Sequence, residues 1–235
     1  MTKRIVDYVL DEWIRSQTDW GSRDAAQPKI TWQHRVQYAV GHAVNDYFTM
    51  DPAVRVHTPI QVLLNRRWPR SRADFKDPLH YWRVYNRIVA QLTRITGEMI
   101  YEYPLALYEN WETQVTELDV QLSVIFQAVW KSESGGGPNQ VKVQKFLVEN
   151  NEELVKAFVH TAHVFWHSAY GEPPGKIEVH ALLDERKYIF TREMLDLQKS
   201  LDYVRLLAET VDARSGTEKA DKREGKVECQ APAEA

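Results

Sequence analysis

Three groups of side chains have the types and spacing to do chemistry. The first is the run His160-Thr-Ala-His163-Val-Phe-Trp-His167. On a helix, His163 and His167 stand one turn apart and can chelate one ion, with His160 a turn earlier. The second is a basic segment holding Arg66, Arg67, Arg70, Arg72, Arg83, Arg87 and Arg94, with Lys76, Trp68 and Trp82 interleaved. Guanidinium forks match phosphate oxygens and indoles stack on bases, so this pattern suits nucleic acid. The third is acidic: Glu98, Glu102, Glu109 and Glu112 recur at close to helical spacing. Paired carboxylates can serve as general acid and base or hold a metal. No histidine or lysine is spaced to tune these four, and such stripes are common on exposed helices.

Each group has a plainer reading. At about 100° per residue the three histidines share a stripe with Glu149, Glu153 and Lys156. Leu147, Leu154, Val155, Phe158, Ala162, Phe165 and Ala169 lie opposite, so the stripe is expected to be a solvated face. No Glu-x-x-His pair of the di-iron kind accompanies it. The basic segment carries only Asp74 and Asp77 as acids, whereas Glu98 to Glu153 is strongly acidic. The two halves are therefore expected to pair within the fold or between subunits, with phosphate contact second. No GxxxxGK[ST], GxGxxG, GxSxG or HExxH motif occurs.

Composition narrows the classes further. A net charge of −3 lacks the positive balance usual for nucleic-acid-binding chains. The single cysteine, Cys229, permits no internal disulfide and no multi-thiolate zinc site. The charged start MTKRIVDYVLDEWIR is not a signal peptide, and no apolar stretch approaches the ~20 residues of a membrane span. A cytoplasmic location is the resulting expectation.

The elements that must position these groups read as helices. Residues 3–16 are apolar at helical spacing, and Gly21 to Pro28 breaks the pattern. Thr31 is a candidate cap for a helix ending at Asp51-Pro52, and a short helix follows Pro59. From Pro78, Tyr81, Tyr85, Ile88, Leu92, Ile95 and Met99 alternate in steps of four and three. After Pro104 the alternation resumes through Tyr108, Trp111, Val115, Leu118, Leu122, Ile125 and Val129. This predicts a long helix kinked at Pro104, or a tight corner there. Residues 132–139, with three glycines, read as a linker, and 140–169 as one amphipathic helix stopped by Gly171-Glu-Pro-Pro-Gly175. Ile177–Leu183 and Lys187–Thr191 suggest a β-hairpin around Asp184–Arg186, with Thr191 capping a last helix. Residues 214–235 read as a disordered tail. A winged helix-turn-helix within 140–190 would require cutting the 140–169 helix.

The expected fold is thus all-α: a bundle of about six helices with a small C-terminal hairpin. Residues 1–131 form the heptad-seam body, and 140–213 complete the same fold. The expected function is non-catalytic macromolecule binding, as a subunit or assembly factor with a protein partner or by self-association, without cofactor or membrane. Nucleic-acid association through Arg66–Arg94 comes second, and a metalloprotein built on His160, His163 and His167 last.

Overall fold

A computed structural model describes residues 3–6, 10, 11, 14, 31–131 and 141–224, with side chains to Thr210. The chain begins as strand β1 (Lys3–Val6). Helices α1 (Trp32–Thr49), α2 (Pro52–Arg55), α3 (Ile60–Arg67) and α4 (Pro78–Glu98) follow. Next come β2 (Pro104–Val115), β3 (Val120–Lys131), β4 (Val141–Leu147) and α5 (Glu152–Tyr170). β5 (Lys176–Ala181), β6 (Arg186–Thr191) and α6 (Leu197–Glu224) complete the order.

The all-α expectation is wrong. The protein is mixed α/β around one six-stranded sheet, ordered β1-β3-β4-β5-β6 with β2 on the far edge of β3. β2, β3 and β4 form an antiparallel meander; α5 then crosses over so that β5 runs parallel to β4. β1 pairs in parallel with Lys3↔Val120 to Val6↔Ser123, sharing the edge of β3 that β4 uses farther along.

The error centres on residues 104–131. Pro104 neither kinks nor starts a helix; it opens β2, five residues after α4 has stopped at Met99. Eight of the 12 residues of β3 are apolar, placed so that a heptad and a period of two both fit. The buried set is Val120, Leu122, Val124 and Phe126, while the heptad positions Leu118 and Ile125 are only half-buried. β-Branched and aromatic side chains favour the pleated alternative. Both faces of β3 are covered, which hides the alternation that marks a one-sided strand.

Two further helices were overextended. Residues 3–6 are a strand, and of the rest of 3–16 only 10, 11 and 14 are described. The 140–169 segment divides into β4 and α5, with Asn151 as cap accepting the Leu154 N–H at 3.1 Å. Gly171, at φ +80°, ends α5 in the left-handed conformation glycine tolerates. α6 is capped by Asp196, which accepts the Lys199 N–H at 2.8 Å, and not by Thr191. Its backbone is helical to Glu224; the 21–28 break, the 132–139 linker and residues 225–235 lie outside the described residues.

Other expectations hold. α4 starts at Pro78 behind the Asp77 cap and buries Tyr81, Tyr85, Ile88, Leu92 and Ile95. β5 and β6 form the expected hairpin, Glu185 (φ +55°) supplying the turn conformation in place of glycine.

The sheet separates two cores. On one face α5 and α6 pack Phe158, Phe165 and Val204 against Leu122, Val124, Val143 and Ile177. On the other, α1, α3 and α4 pack Val40, Leu64, Ile88 and Leu92 against Ala128, Trp130 and Phe146. Phe126 and Val129 face the first core while Ala128 and Trp130 face the second, so β3 changes phase near Gln127. Across from it stands Tyr108 at φ +49°, its ring against Gly41, where a Cβ would lie 3.1 Å from the ring. Arg55, 2% exposed, ties α2 to the α4–β2 link by donating to the carbonyls of Phe48, Met50, Ile100 and Glu102.

Candidate functional site

Arg66 and Arg67 end α3, and residues 68–77 return along the first turns of α4. Trp68 anchors this link beneath the Tyr81 and Tyr85 rings, at 6.3 and 5.1 Å. The Tyr81 hydroxyl donates to Pro69 O at 3.0 Å. Arg72 then lies over Tyr81 and Trp82, 5.3 and 5.2 Å from their centroids. Arg70 donates to Asn65 O at 3.3 Å. A shallow cleft of about 460 Å³ opens beside Arg66, walled by Asp46, Thr49 and Leu63.

All seven candidate arginines are exposed, but they divide by partner. Arg94 pairs with Glu98 at 3.0 Å, a link between the basic and acidic halves. Arg87 meets Glu185 at 3.6 Å and Leu183 O at 3.0 Å. Arg66, Arg67, Arg70, Arg72 and Arg83 meet no carboxylate among the described residues. The segment's own acids are engaged elsewhere: Asp74 pairs with Arg35 at 3.4 Å, and Asp77 accepts the His80 N–H at 2.6 Å. The acidic stripe is dispersed as well: on β2, Glu109 accepts from Trp111 Nε1 and Glu112 pairs with Arg4 of β1. Internal pairing of the two halves therefore accounts for little of the basic excess. Beside these five arginines, Trp82 is 44% and Leu79 66% exposed.

The histidine stripe is not a solvated face. His163 is 2% exposed, and its Nδ1 lies 2.8 Å from Ser200 Oγ on α6; His160 Nδ1 lies 2.9 Å from the same oxygen. Ser200 commits its proton to Asp196 O at 3.0 Å, so both rings donate to it through Nδ1. α5 is polar and exposed only at Glu152, Glu153 and Lys156 in its first turns; beyond them α6 covers the stripe. Burial, reinforced by His160 and His167, lowers the His163 pKa to about 4. His167 does not share the Ser200 contact; its carbonyl accepts the Gly171 N–H. Among the described residues no three His, Cys, Asp or Glu side chains are placed to hold a metal. With its proton on Asp196 O, Ser200 has no base among these histidines, and its side chain is fully buried.

The sequence reading missed a third polar group. Glu178, 2% exposed, accepts from Lys176 at 2.6 Å, Gln144 at 2.8 Å and Lys187 at 3.2 Å, with His180 Nε2 at 3.6 Å. Parallel register sets Gln144 beside Glu178 and Phe146 beside His180, and the latter rings stack at 5.4 Å. Burial raises the Glu178 pKa, but hydrogen bonds from His180, Lys176 and Gln144 more than offset it and hold the carboxyl well below its ordinary range. Nearby, Lys142 contacts Met99 Sδ at 3.4 Å and the Trp130 ring at 5.6 Å, and burial lowers its pKa. The alternation Lys176-Ile-Glu178-Val-His180 was the available signal. With its charge neutralised on several sides, Glu178 organises the sheet; a fixed, ionised carboxylate is poorly suited to proton transfer.

Among the described residues no helix is long and apolar enough to cross a membrane. Neither a protein-family model nor a curated protein matches this chain.

Proposed function

We propose that this is a non-catalytic binding protein that holds nucleic acid against the α3–α4 corner. The observation that supports it is the set of five exposed arginines that meet no carboxylate among the described residues, in a segment whose two acids are used elsewhere. Guanidinium groups left in this state are ready for phosphate, and the release of condensed counterions drives such contacts even when net charge is slightly negative. Purification of the full chain from native lysate, with and without nuclease, tests the reading. Co-purifying nucleic acid that is lost in Arg67→Glu/Arg70→Glu supports it; protein free of nucleic acid under both conditions contradicts it.

A protein partner is the second reading, supported by a separate surface. Val54 and Val56 are 49% and 46% exposed, and Tyr101, Tyr103 and Leu105 are 69%, 63% and 57% exposed. Arg55 joins the two segments and lies 5.6 Å from the Tyr103 ring. Exposed apolar side chains gathered this way mark contact surfaces. A role as subunit or assembly factor would act here, and light scattering of Tyr103→Glu against the parent chain reads self-association.

A further inference from the structure

We infer that the nucleic acid held at the α3–α4 corner is single-stranded, with bases stacked on Trp82 and phosphates met by Arg70, Arg72 and Arg83. The inference rests on the nucleic-acid reading and specifies its partner. In a duplex the base faces are stacked on one another, and a protein reaches only base edges through a groove, mainly by hydrogen bonding. Arginine can read base edges as well, so the apolar side chains of the corner decide between the two forms. The exposed side chains on the first turns of α4 include Leu79 and Trp82, an apolar pair with one N–H donor between them. An indole is instead matched to an unstacked base, and stacking tolerates any sequence.

The setting holds the indole in place. Trp82 contacts Tyr81 at 5.1 Å and 85°, and Tyr85 at 5.8 Å and 87°. The Tyr81 hydroxyl is bonded to Pro69, and the Tyr85 hydroxyl donates to Asn65 Oδ1 at 2.7 Å. Arg72 lies over the Trp82 ring and carries its charge to the same spot, so a base on the indole would bring its phosphate near a guanidinium. Arg83 follows Trp82 in sequence on α4, and Arg70 precedes Arg72 on the link. A backbone tracked by cations beside an aromatic platform is the arrangement that takes single strands without regard to sequence.

The test compares a labelled oligo-dT of roughly 20 nucleotides, longer than the ~4–16-nucleotide sites of single-strand binders, with a duplex of equal length. Fluorescence anisotropy of the full chain reads both at physiological salt. The single strand is expected to bind at least about tenfold more tightly. Trp82→Ala is expected to weaken it roughly 5- to 100-fold, the range for losing one stacked base, while Trp82→Phe retains most of the affinity. Trp82 is exposed, and an unchanged thermal melt shows that each variant is folded. Equal binding of duplex and single strand, or single-strand binding indifferent to Trp82→Ala, overturns the inference and leaves the nucleic-acid reading standing. Binding of neither probe overturns both.

Discussion

The β4–β5–β6 network and the α3–α4 corner are both rich in cations, and the fold treats them in opposite ways. Lys176 and Lys187 converge on one buried carboxylate, Glu178, with Gln144 and His180 completing its shell. Arg66, Arg67, Arg70, Arg72 and Arg83 stand in solvent, while the acids nearest in sequence are bound to Arg35 and to a helix cap. In the first, the buried carboxylate must be met by cations, because an unpaired charge under a helix costs several kcal/mol. The second carries no such requirement, since water screens exposed charge at little cost. The difference separates cations whose role is satisfied within the chain from cations left available to another molecule.

The comparison breaks most readily at Glu178. Glu178→Gln leaves Lys176 and Lys187, 39% and 33% exposed, without their shared counter-charge and is expected to cost about 2–3 kcal/mol, measured by chemical denaturation. A loss below about 1 kcal/mol would show the network open to water.

The buried histidines give the next largest effect. His163 is neutral in the fold with a pKa of about 4, whereas the unfolded imidazole titrates at its ordinary 6.5. The unfolded chain therefore binds more protons between these values, and stability falls as pH drops from about 6.5 towards 4. Up to roughly 3 kcal/mol is at stake, and His160 and His180, also lowered by burial, act with the same sign. Denaturation midpoints at pH 7 and 5 should differ, and His163→Gln should reduce that difference.

Lys142 is intermediate, half-buried against Met99 and Trp130 without a contacting carboxylate among the described residues. Lys142→Met keeps the stem and removes the ammonium, so a change within about 1 kcal/mol is expected from the melt. The smallest effect belongs to the corner. Arg67→Glu/Arg70→Glu removes no ion pair among the described residues and should change stability by no more than about 0.5 kcal/mol, read as an almost unchanged melting temperature.

Local signals were legible where one period excluded the other. α4 shows five buried residues in steps of three and four behind an Asp-Pro start, and its helix was readable. The β5–β6 hairpin was readable from alternation, although its turn relies on Glu185 at φ +55°. β3 was illegible because the alternation through Gln121 and Ser123 gives way to the apolar runs 124–126 and 128–130, which also fit a heptad. β4 was illegible because Val141, Val143 and Leu147 extend the apolar arc of α5 on a helical wheel. At the site, sequence supplied the arginines but not their partners, since Arg35–Asp74 and Arg87–Glu185 join distant segments. The Glu178 network depends on a parallel register between β4 and β5 that no local pattern encodes. His163 was misplaced because the wheel locates α5's own apolar arc but not the helix that covers its other side.

The claim that the corner serves nucleic acid is tested most directly by the salt dependence of binding in the full chain and in Arg67→Glu/Arg70→Glu. A single-stranded probe should bind submicromolar at physiological salt, and log affinity should fall against log salt with a slope of roughly −0.7 per phosphate contact. The reversal should abolish that binding with the melting temperature unchanged. Weak binding with a flat salt dependence, or tight binding that survives the reversal, contradicts the account.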